Sequence, residues 1–214
     1  QSLSSMMAPL VLYPKKGEKE LDLTAAPGSK TTQMAALMEN EGYILANELD
    51  KIRSERLQYN VKSQGVEIVE VINGRGEKIG NSYTEYFDKV LLDTPCSGEG
   101  RFLLGKPMTY KDWSLKKVNQ LAKIQKKLFE SAYNATKKNG IMVYSTCTIN
   151  KEENEYILDW AINTFNIKLL DINLDIKEAI KGDNTGLNNA IDKAIKILPS
   201  KNMEGFFVAK IMKN

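Results

Sequence analysis

The chain has 214 residues, of which 42% are hydrophobic and 27% are charged, as in a soluble globular protein of one domain. It contains no histidine, which excludes a Ser-His-Asp triad and histidine-based acid–base catalysis. Its two cysteines are too few for the usual zinc sites, so we expect no metal; without a secretion signal, they indicate free thiols in the cytoplasm. No apolar stretch approaches the roughly 20 residues that cross a bilayer, and we expect no membrane association.

The size of the chain predicts one domain, residues 1–214, which we expect to be monomeric. Because the chain begins at Gln1 rather than at a methionine, we expect it to be excised from a longer protein. The net charge of +3 neither requires nor excludes a nucleic-acid partner. Pairs such as Lys116-Lys117 and Lys126-Lys127 are candidate phosphate contacts, although each alone is more often a solvated helix face.

Short apolar runs alternate with helical patterns along the chain. The continuous apolar character of the runs is typical of strands that are covered on both faces, and the alternation predicts βαβ units in a mostly parallel, doubly wound sheet. Asn139-Gly140 is expected to end the third helix, and Asn150 to cap the fourth. Segment 171–199 is polar with weak helical patterning. The predicted strands are 19–23, 42–48, 66–71, 87–93, 141–146 and 205–212, and the predicted helices are 29–40, 50–63, 115–136 and 152–165.

Polar residues lie at or after the ends of the first four predicted strands. The first strand leads into Thr24-Ala-Ala-Pro-Gly-Ser-Lys30, a turn of small residues that opens a helix and presents free backbone N–H groups. Its glycine spacing fits neither a Walker A nor a GxGxxG loop, and alone it would be an ordinary turn. Glu48, Asn73 and Asp93 follow on the next three strands, and an acidic residue in the place of Glu48 commonly binds ribose hydroxyls. The set predicts an adenosine-type cleft, whereas Glu48 alone would also suit a helix N-terminus.

Each cysteine closes an apolar run. Cys96 follows Phe87-Asp-Lys-Val-Leu-Leu-Asp-Thr-Pro, and Cys147 follows Ile141-Met-Val-Tyr-Ser-Thr. Because the carboxyl ends of parallel strands meet at one edge of a sheet, both thiols should emerge where such folds bind ligands. Cysteines are often simply buried as small apolar groups, but two in polar contexts at strand ends favour a chemical role.

The motifs resemble, in order, those of the RsmB/RsmF/Sun (Nol/Sun) family of S-adenosylmethionine-dependent RNA cytosine-5 methyltransferases. The resemblance implies a Rossmann-like class I methyltransferase fold, with a mostly parallel seven-stranded sheet, an antiparallel last strand and helices on both faces. It implies S-adenosyl-L-methionine as the cofactor and rRNA or tRNA as the partner. The stretches that carry it are Asp22-Leu-Thr-Ala-Ala-Pro-Gly-Ser-Lys30-Thr, Asp93-Thr-Pro-Cys96-Ser-Gly-Glu-Gly and Tyr144-Ser-Thr-Cys147-Thr, with support from Gln125 and Glu153-Asn154-Glu155.

Carried over residue by residue, the resemblance implies a cofactor site and a catalytic set. Cys147 would attack C6 of cytosine, Asp93 would contact N3 of the base, and Cys96 would assist product release. The sequence departs from the usual family residues at Thr24, Ser29, Asn73 and Thr94, and it has no histidine near Ser200. The implied cofactor-binding residues are Ala25, Ala26, Pro27, Gly28, Ser29, Lys30, Glu48, Arg53, Asn73 and Asp93.

Several alternatives stay open from the sequence. The thiols could exchange roles, since DNA cytosine-5 methyltransferases use a Pro-Cys nucleophile and Pro95-Cys96 matches that pair. Lys30 suits either the site or a solvated helix start. A donor-binding factor without activity and a methyltransferase acting on amine nitrogens are rival functions. Retention of both cysteines argues against the first, and the lack of an aromatic after Pro95 argues against the second. Arg101, Tyr110 and Trp113 would frame the base pocket or serve in packing.

Overall fold

The computed structural model contains a nine-stranded mixed sheet. It describes residues 2–214, so Gln1, which the predicted domain includes, lies outside the described residues. The strands are β1 Lys19–Asp22, β2 Tyr43–Glu48, β3 Val69–Asn73, β4 Phe87–Asp93, β5 Thr136–Thr146, β6 Ile167–Leu170, β7 Ala179–Lys181, β8 Ile195–Ile197 and β9 Phe206–Lys213. The α-helices are α1 Met7–Leu12, α2 Ser29–Leu37, α3 Lys51–Ser63, α4 Gly76–Ser82, α5 Leu115–Ala135 and α6 Glu155–Thr164.

The strand order is β3-β2-β1-β4-β5-β9-β8-β7, with β1 to β5 parallel to one another. Strand β9 runs antiparallel to β5, as expected. The other edge of β9 pairs with two strands: Phe206–Val208 pairs with β8, and Lys210–Lys213 pairs with β6. The predicted count of seven strands is wrong: the described residues form nine. Strands β7 and β8 lie in segment 171–199. Each has only three residues, which is too few for an alternating apolar pattern to indicate a strand.

Alternation along the central strands shows that both faces of the sheet are covered. In β4, Val90 and Leu92 pack in the cluster that contains residues of α4, α5 and α6, whereas Leu91 packs with α1 and α2. In β5, Tyr144 packs in the first of these clusters and Val143 packs in the second. All five side chains are buried, which explains why these strands read as continuous apolar runs.

Helix ends depart from the predictions where backbone geometry intervenes. Helix α2 ends at Leu37, and Glu39 and Asn40 turn the chain with positive φ angles of 56° and 57°. Helix α5 ends at Ala135 and passes directly into β5, so the predicted stop at Asn139-Gly140 is wrong. Asn150 caps a 3-10 turn rather than α6, which begins at Glu155. Among residues 2–214, no helix combines the length and apolar character that a bilayer crossing needs.

Candidate active site

The carboxyl ends of β1, β2, β4 and β5 open into one cavity of about 560 Å³. Parallel strands bring these ends to the same edge, so the polar residues after each strand converge although the sequence separates them widely. Ten of the predicted site residues line the cavity: Ala25, Ala26, Pro27, Ser29, Lys30, Glu48, Arg53, Asp93, Cys96 and Cys147.

Two predicted cofactor residues, Gly28 and Asn73, lie outside the lining. Gly28 has a φ of 106°, and a Cβ there would lie 2.9 Å from Cδ1 of Leu57, so glycine lets the turn pass close to α3. The Asn73 amide donates to the carbonyls of Glu48 and Leu49 at 2.8 and 2.9 Å. Asn73 thus fixes the turn after β2, a role that needs an amide donor and that an aspartate carboxylate could not fill.

Glu48 occupies one end of the cavity as a carboxylate that is only 4% exposed. Its Oε1 accepts a hydrogen bond from the backbone N–H of Asp50 at 2.9 Å, and its Oε2 lies 3.6 Å from the Arg53 guanidinium. Arg53 also donates to the carbonyl of Ala26 at 2.9 Å, which ties the first loop to α3. Asp50 caps α3, so Glu48 does not serve as the helix cap.

Asn47 is a lining residue that the sequence did not single out. Its amide donates to the carbonyl of Leu23 at 3.0 Å, whereas its buried Oδ1 has no hydrogen-bond partner among the described residues. This oxygen is inaccessible to solvent and lies beside Gly74, a residue outside the cavity lining, so Asn47 serves to hold the end of β1 against β2.

Asp93 is held from three directions. The Lys30 ammonium lies 2.7 Å from its Oδ2, and the Ser145 hydroxyl donates to Oδ1 at 2.8 Å. The Thr24 hydroxyl donates to its carbonyl at 2.7 Å, and Lys30 also donates to Ser5 at 2.6 Å. Lys30 is therefore part of the site and not a solvated helix residue. The sequence missed Ser145, whose position depends on the β4–β5 register that pairs it with Asp93.

The two thiol sulfurs lie 3.1 Å apart at the other end of the cavity. The hydrogen bond from Cys96 lowers the pKa of Cys147, and the charges on Arg101 and Lys30 act in the same direction against burial. The same hydrogen bond, with burial and the nearby Asp93 carboxylate, raises the pKa of Cys96 well above its ordinary value. Either thiol could donate across this distance, and the positive charges of Arg101 and Lys30 favour the arrangement in which a Cys147 thiolate accepts a hydrogen bond from a Cys96 thiol.

A buried polar network supports the loop that carries Cys96. The Glu153 carboxylate accepts from the backbone N–H of Ser97 at 2.9 Å, from the Ser97 hydroxyl and from the Gln125 amide at 3.0 Å. Gln125 also donates to the carbonyl of Pro95 at 3.0 Å. Burial raises the pKa of Glu153, against the effect of the bonds from Ser97 and Gln125. Glu153 follows β5, so the network fixes the Cys96 loop relative to Cys147.

Of the three residues expected to frame a base pocket, only Arg101 lines the cavity. Tyr110 packs against Phe102, with ring centroids 5.7 Å apart. The Trp113 indole donates to Oε1 of Glu99 at 2.7 Å, outside the lining.

Comparison with known proteins first confirms the fold class. A methyltransferase homolog protein from Pyrococcus horikoshii superposes on all of this chain and 67% of that chain with a TM-score of 0.86 at 34% identity. TrmN from Thermus thermophilus superposes on 98% of this chain and 48% of that chain with a TM-score of 0.65 at 14% identity, which shows a shared fold alone. The sequence profile of the 16S rRNA methyltransferase RsmB/F family matches residues 9–212. The chain therefore belongs to this family, and the predicted membership is confirmed.

Three relatives show how much of a longer protein the chain corresponds to. It is 40% identical to the tRNA (cytosine(49)-C(5))-methyltransferase of Pyrococcus abyssi, over all of this chain and 69% of that protein. It is 38% identical to ribosomal RNA small subunit methyltransferase F of Escherichia coli O6:H1, over 44% of that protein's length. NSun6 from Pyrococcus horikoshii, determined with SFG, superposes with a TM-score of 0.86 at 33% identity, over all of this chain and 52% of that one. The chain thus spans about half the length of several of its relatives.

Proposed function

We propose that the chain transfers a methyl group from S-adenosylmethionine to C5 of a cytidine in rRNA or tRNA, through a covalent adduct between Cys147 and C6. The observation that carries this proposal is the pair of thiols 3.1 Å apart in the wall of a cavity that also holds the Asp93–Lys30 ion pair. The family membership supports the reaction class, and the relatives named as rRNA and tRNA methyltransferases support RNA in the cytoplasm as the substrate.

The Glu48 end of the cavity fits S-adenosylmethionine. A buried carboxylate suits the two ribose hydroxyls, and residues 25–30 suit the methionine part. SFG, with which the Pyrococcus NSun6 structure was determined, is an analogue of this cofactor. When bound, S-adenosylmethionine supplies an electrophilic methyl group on a sulfonium.

The thiol end fits the chemistry of the cytosine ring. C5 of cytosine is a weak nucleophile, and attack of the Cys147 thiolate on C6 forms an S–C6 bond that makes C5 electron-rich. Asp93 shares a proton with N3 of the ring, which accepts it as negative charge develops there, and Lys30 beside Asp93 offsets the charge that the carboxylate retains. C5 gains the methyl group and then loses its proton to water or to Asp93.

Cys96 acts when the adduct breaks. As the C5 proton leaves, the C5=C6 double bond reforms and the S–C6 bond breaks, returning a thiolate to Cys147. The Cys96 thiol stays protonated because its pKa is raised by the hydrogen bond to Cys147 and by burial. At 3.1 Å it can donate a hydrogen bond to the departing sulfur. This asymmetry supports Cys147, rather than Cys96, as the nucleophile.

Nucleoside mass spectrometry tests the reaction. The chain is incubated with S-adenosylmethionine and unmodified transcripts of 16S rRNA and of tRNA, and the RNA is digested to nucleosides. We expect 5-methylcytidine from at least one transcript. A methyl group on an exocyclic or endocyclic nitrogen would contradict the proposal, and binding of cofactor and RNA without any methylation would instead support an inactive binding factor.

A further inference from the structure

A largely exposed surface lies beside the cavity, in residues 99–127, which we name the basic lobe. It comprises the 3-10 turn Glu99–Arg101, a loop with a second 3-10 turn at Pro107–Thr109, and the first half of α5. From residue 103 to residue 117, every side chain except that of Tyr110 is exposed. Such a long exposed stretch contributes little to the core, so packing alone does not explain its composition.

The basic lobe concentrates the positive charge of the chain. It contains eight lysine and arginine residues and two acidic residues, a net charge of +6, whereas the rest of the chain carries −3. The lysines that are exposed and form no ion pair within residues 2–214 are Lys106, Lys111, Lys116, Lys117, Lys123 and Lys127. Like charges gathered without partners repel one another, so the binding of a polyanion there would relieve this repulsion and would be favourable.

Helical geometry aligns three of these lysines. Lys116, Lys123 and Lys127 are spaced by seven and four residues in α5, which places them on one face over roughly 16 Å. Gln125, on the opposite face, is buried under the Cys96 loop. The row of ammonium groups therefore faces away from the core.

Apolar side chains lie between the lysines. Leu104 is 91% exposed and Met108 is 72% exposed, and Leu103, Leu115 and Trp113 are exposed as well. The hydrogen bond from the Trp113 indole to Glu99 holds the aromatic ring in place. Fixed aromatic and apolar faces between cations are what proteins offer to unpaired bases, which stack while the cations contact phosphates.

The basic lobe is continuous with the active site. Arg101 and Ile124 belong to the lobe, and both line the cavity that contains the two thiols. A strand of RNA whose cytidine enters the cavity would therefore leave it across this surface.

We propose that the basic lobe binds the unpaired RNA that flanks the target cytidine, with Lys116, Lys123 and Lys127 on phosphates and Trp113 against a base. The inference rests on the proposed function for its ligand. Exposed lysines without partners favour RNA over a protein, because lysine is depleted in protein–protein interfaces and neutralises phosphates in nucleic-acid complexes.

The test uses salt-dependent binding of this chain to a fluorescent, unstructured RNA of about a dozen nucleotides with one cytidine. The lobe variant is Lys116→Gln/Lys123→Gln/Lys127→Gln. Each phosphate contact on a single strand contributes about 0.7 to the slope of log K against log salt concentration, so the slope should become less steep by about 2. At 0.15 M salt that change corresponds to a roughly 50-fold loss of affinity, if the contacts act only through counterion release.

A matched variant controls for net charge. Lys62, Lys138 and Lys168 are also exposed and form no ion pair within the described residues, but they lie outside the basic lobe, in α3, β5 and β6. Their triple replacement by glutamine should leave the salt slope close to that of the unaltered chain. An equal change in both triple variants would overturn the proposal, because binding would then follow total charge only.

The base contact is tested separately with Trp113→Ala, for which we expect about tenfold weaker binding at any salt concentration, since base stacking contributes about 1–3 kcal/mol. Tyr59→Ala, which removes an exposed aromatic of α3, is the control and should have no effect. Stronger binding to a duplex of the same sequence than to the single strand would overturn the proposal. If the chain forms 5-methylcytidine while the lobe variants bind RNA normally, the basic lobe is not the RNA surface and the proposed function stands.

Discussion

Replacing Glu153 tests whether a buried carboxylate positions Cys96. In Glu153→Gln the side chain keeps its shape but has one acceptor oxygen instead of two, so the hydrogen bonds to Ser97 and Gln125 cannot all be retained. A hydrogen bond to a charged group contributes about 1.5–3 kcal/mol, and we expect a loss of about 2 kcal/mol in the free energy of unfolding. For a domain of this size, that corresponds to a decrease in Tm of roughly 4–8 °C.

The functional effect should be specific to one step. Cys147 directly follows β5 and keeps its place, whereas the Cys96 loop loses its support. We expect adduct formation to slow by at most about tenfold, the effect of losing the hydrogen bond from Cys96 to the Cys147 thiolate, and adduct release to slow more, so that more of the protein is covalently bound to RNA at steady state. Quench-flow sampling on denaturing gels measures both steps, and thermal unfolding measures Tm.

The neighbouring residue supplies a control. Glu152 is exposed, so Glu152→Gln makes the same charge change without touching the network, and its free energy of unfolding should change by less than about 0.5 kcal/mol. If Glu153→Gln has the Tm of Glu152→Gln, or slows formation and release of the adduct equally, the positioning role is refuted.

Three further predictions concern other groups. Cys96→Ala removes the hydrogen bond that stabilises the Cys147 thiolate, so alkylation of Cys147 by iodoacetamide near pH 7 should slow by about tenfold; an unchanged rate would mean that the thiols are not coupled. Glu48→Ala should weaken S-adenosylmethionine binding in calorimetry by tenfold or more, with exposed Glu55→Ala as an unaffected control. Burial raises the pKa of Glu20 from about 4.5 to about 9, so its contribution to stability is present below about pH 4.5 and is lost as the pH rises toward 9. Urea unfolding of Glu20→Gln should therefore vary less between pH 5 and 9 than that of the unaltered chain, and an identical pH dependence would contradict the assignment.

The sequence predicted the parts of the fold that local pattern determines. Buried strands such as β4 carry continuous apolar runs, and both cysteines lie at the carboxyl edge because parallel strands share that edge. Strands β7 and β8 could not be predicted, since three-residue strands take their pairing from β9 and from each other rather than from their own pattern.

The limits at the site have a similar cause. Motif order was enough to group Lys30, Asp93 and the cysteines, but the contact of Ser145 with Asp93 depends on strand register, which a single sequence does not contain. The role of Asn73 depends on which way its amide faces, and in the structure it faces the backbone after β2 rather than the cavity. The positions of Ser145 and Asn73 therefore both depend on tertiary contacts.

Trapping of the covalent adduct tests the central claim most directly. Cys96→Ala and Cys147→Ala are each incubated with S-adenosylmethionine and a cytidine-containing RNA substrate, then separated on a denaturing gel. We expect Cys96→Ala to accumulate a covalent protein–RNA band because release is blocked, and Cys147→Ala to give neither a band nor 5-methylcytidine. A covalent band or methylated cytidine from Cys147→Ala would contradict the assignment of Cys147 as the nucleophile.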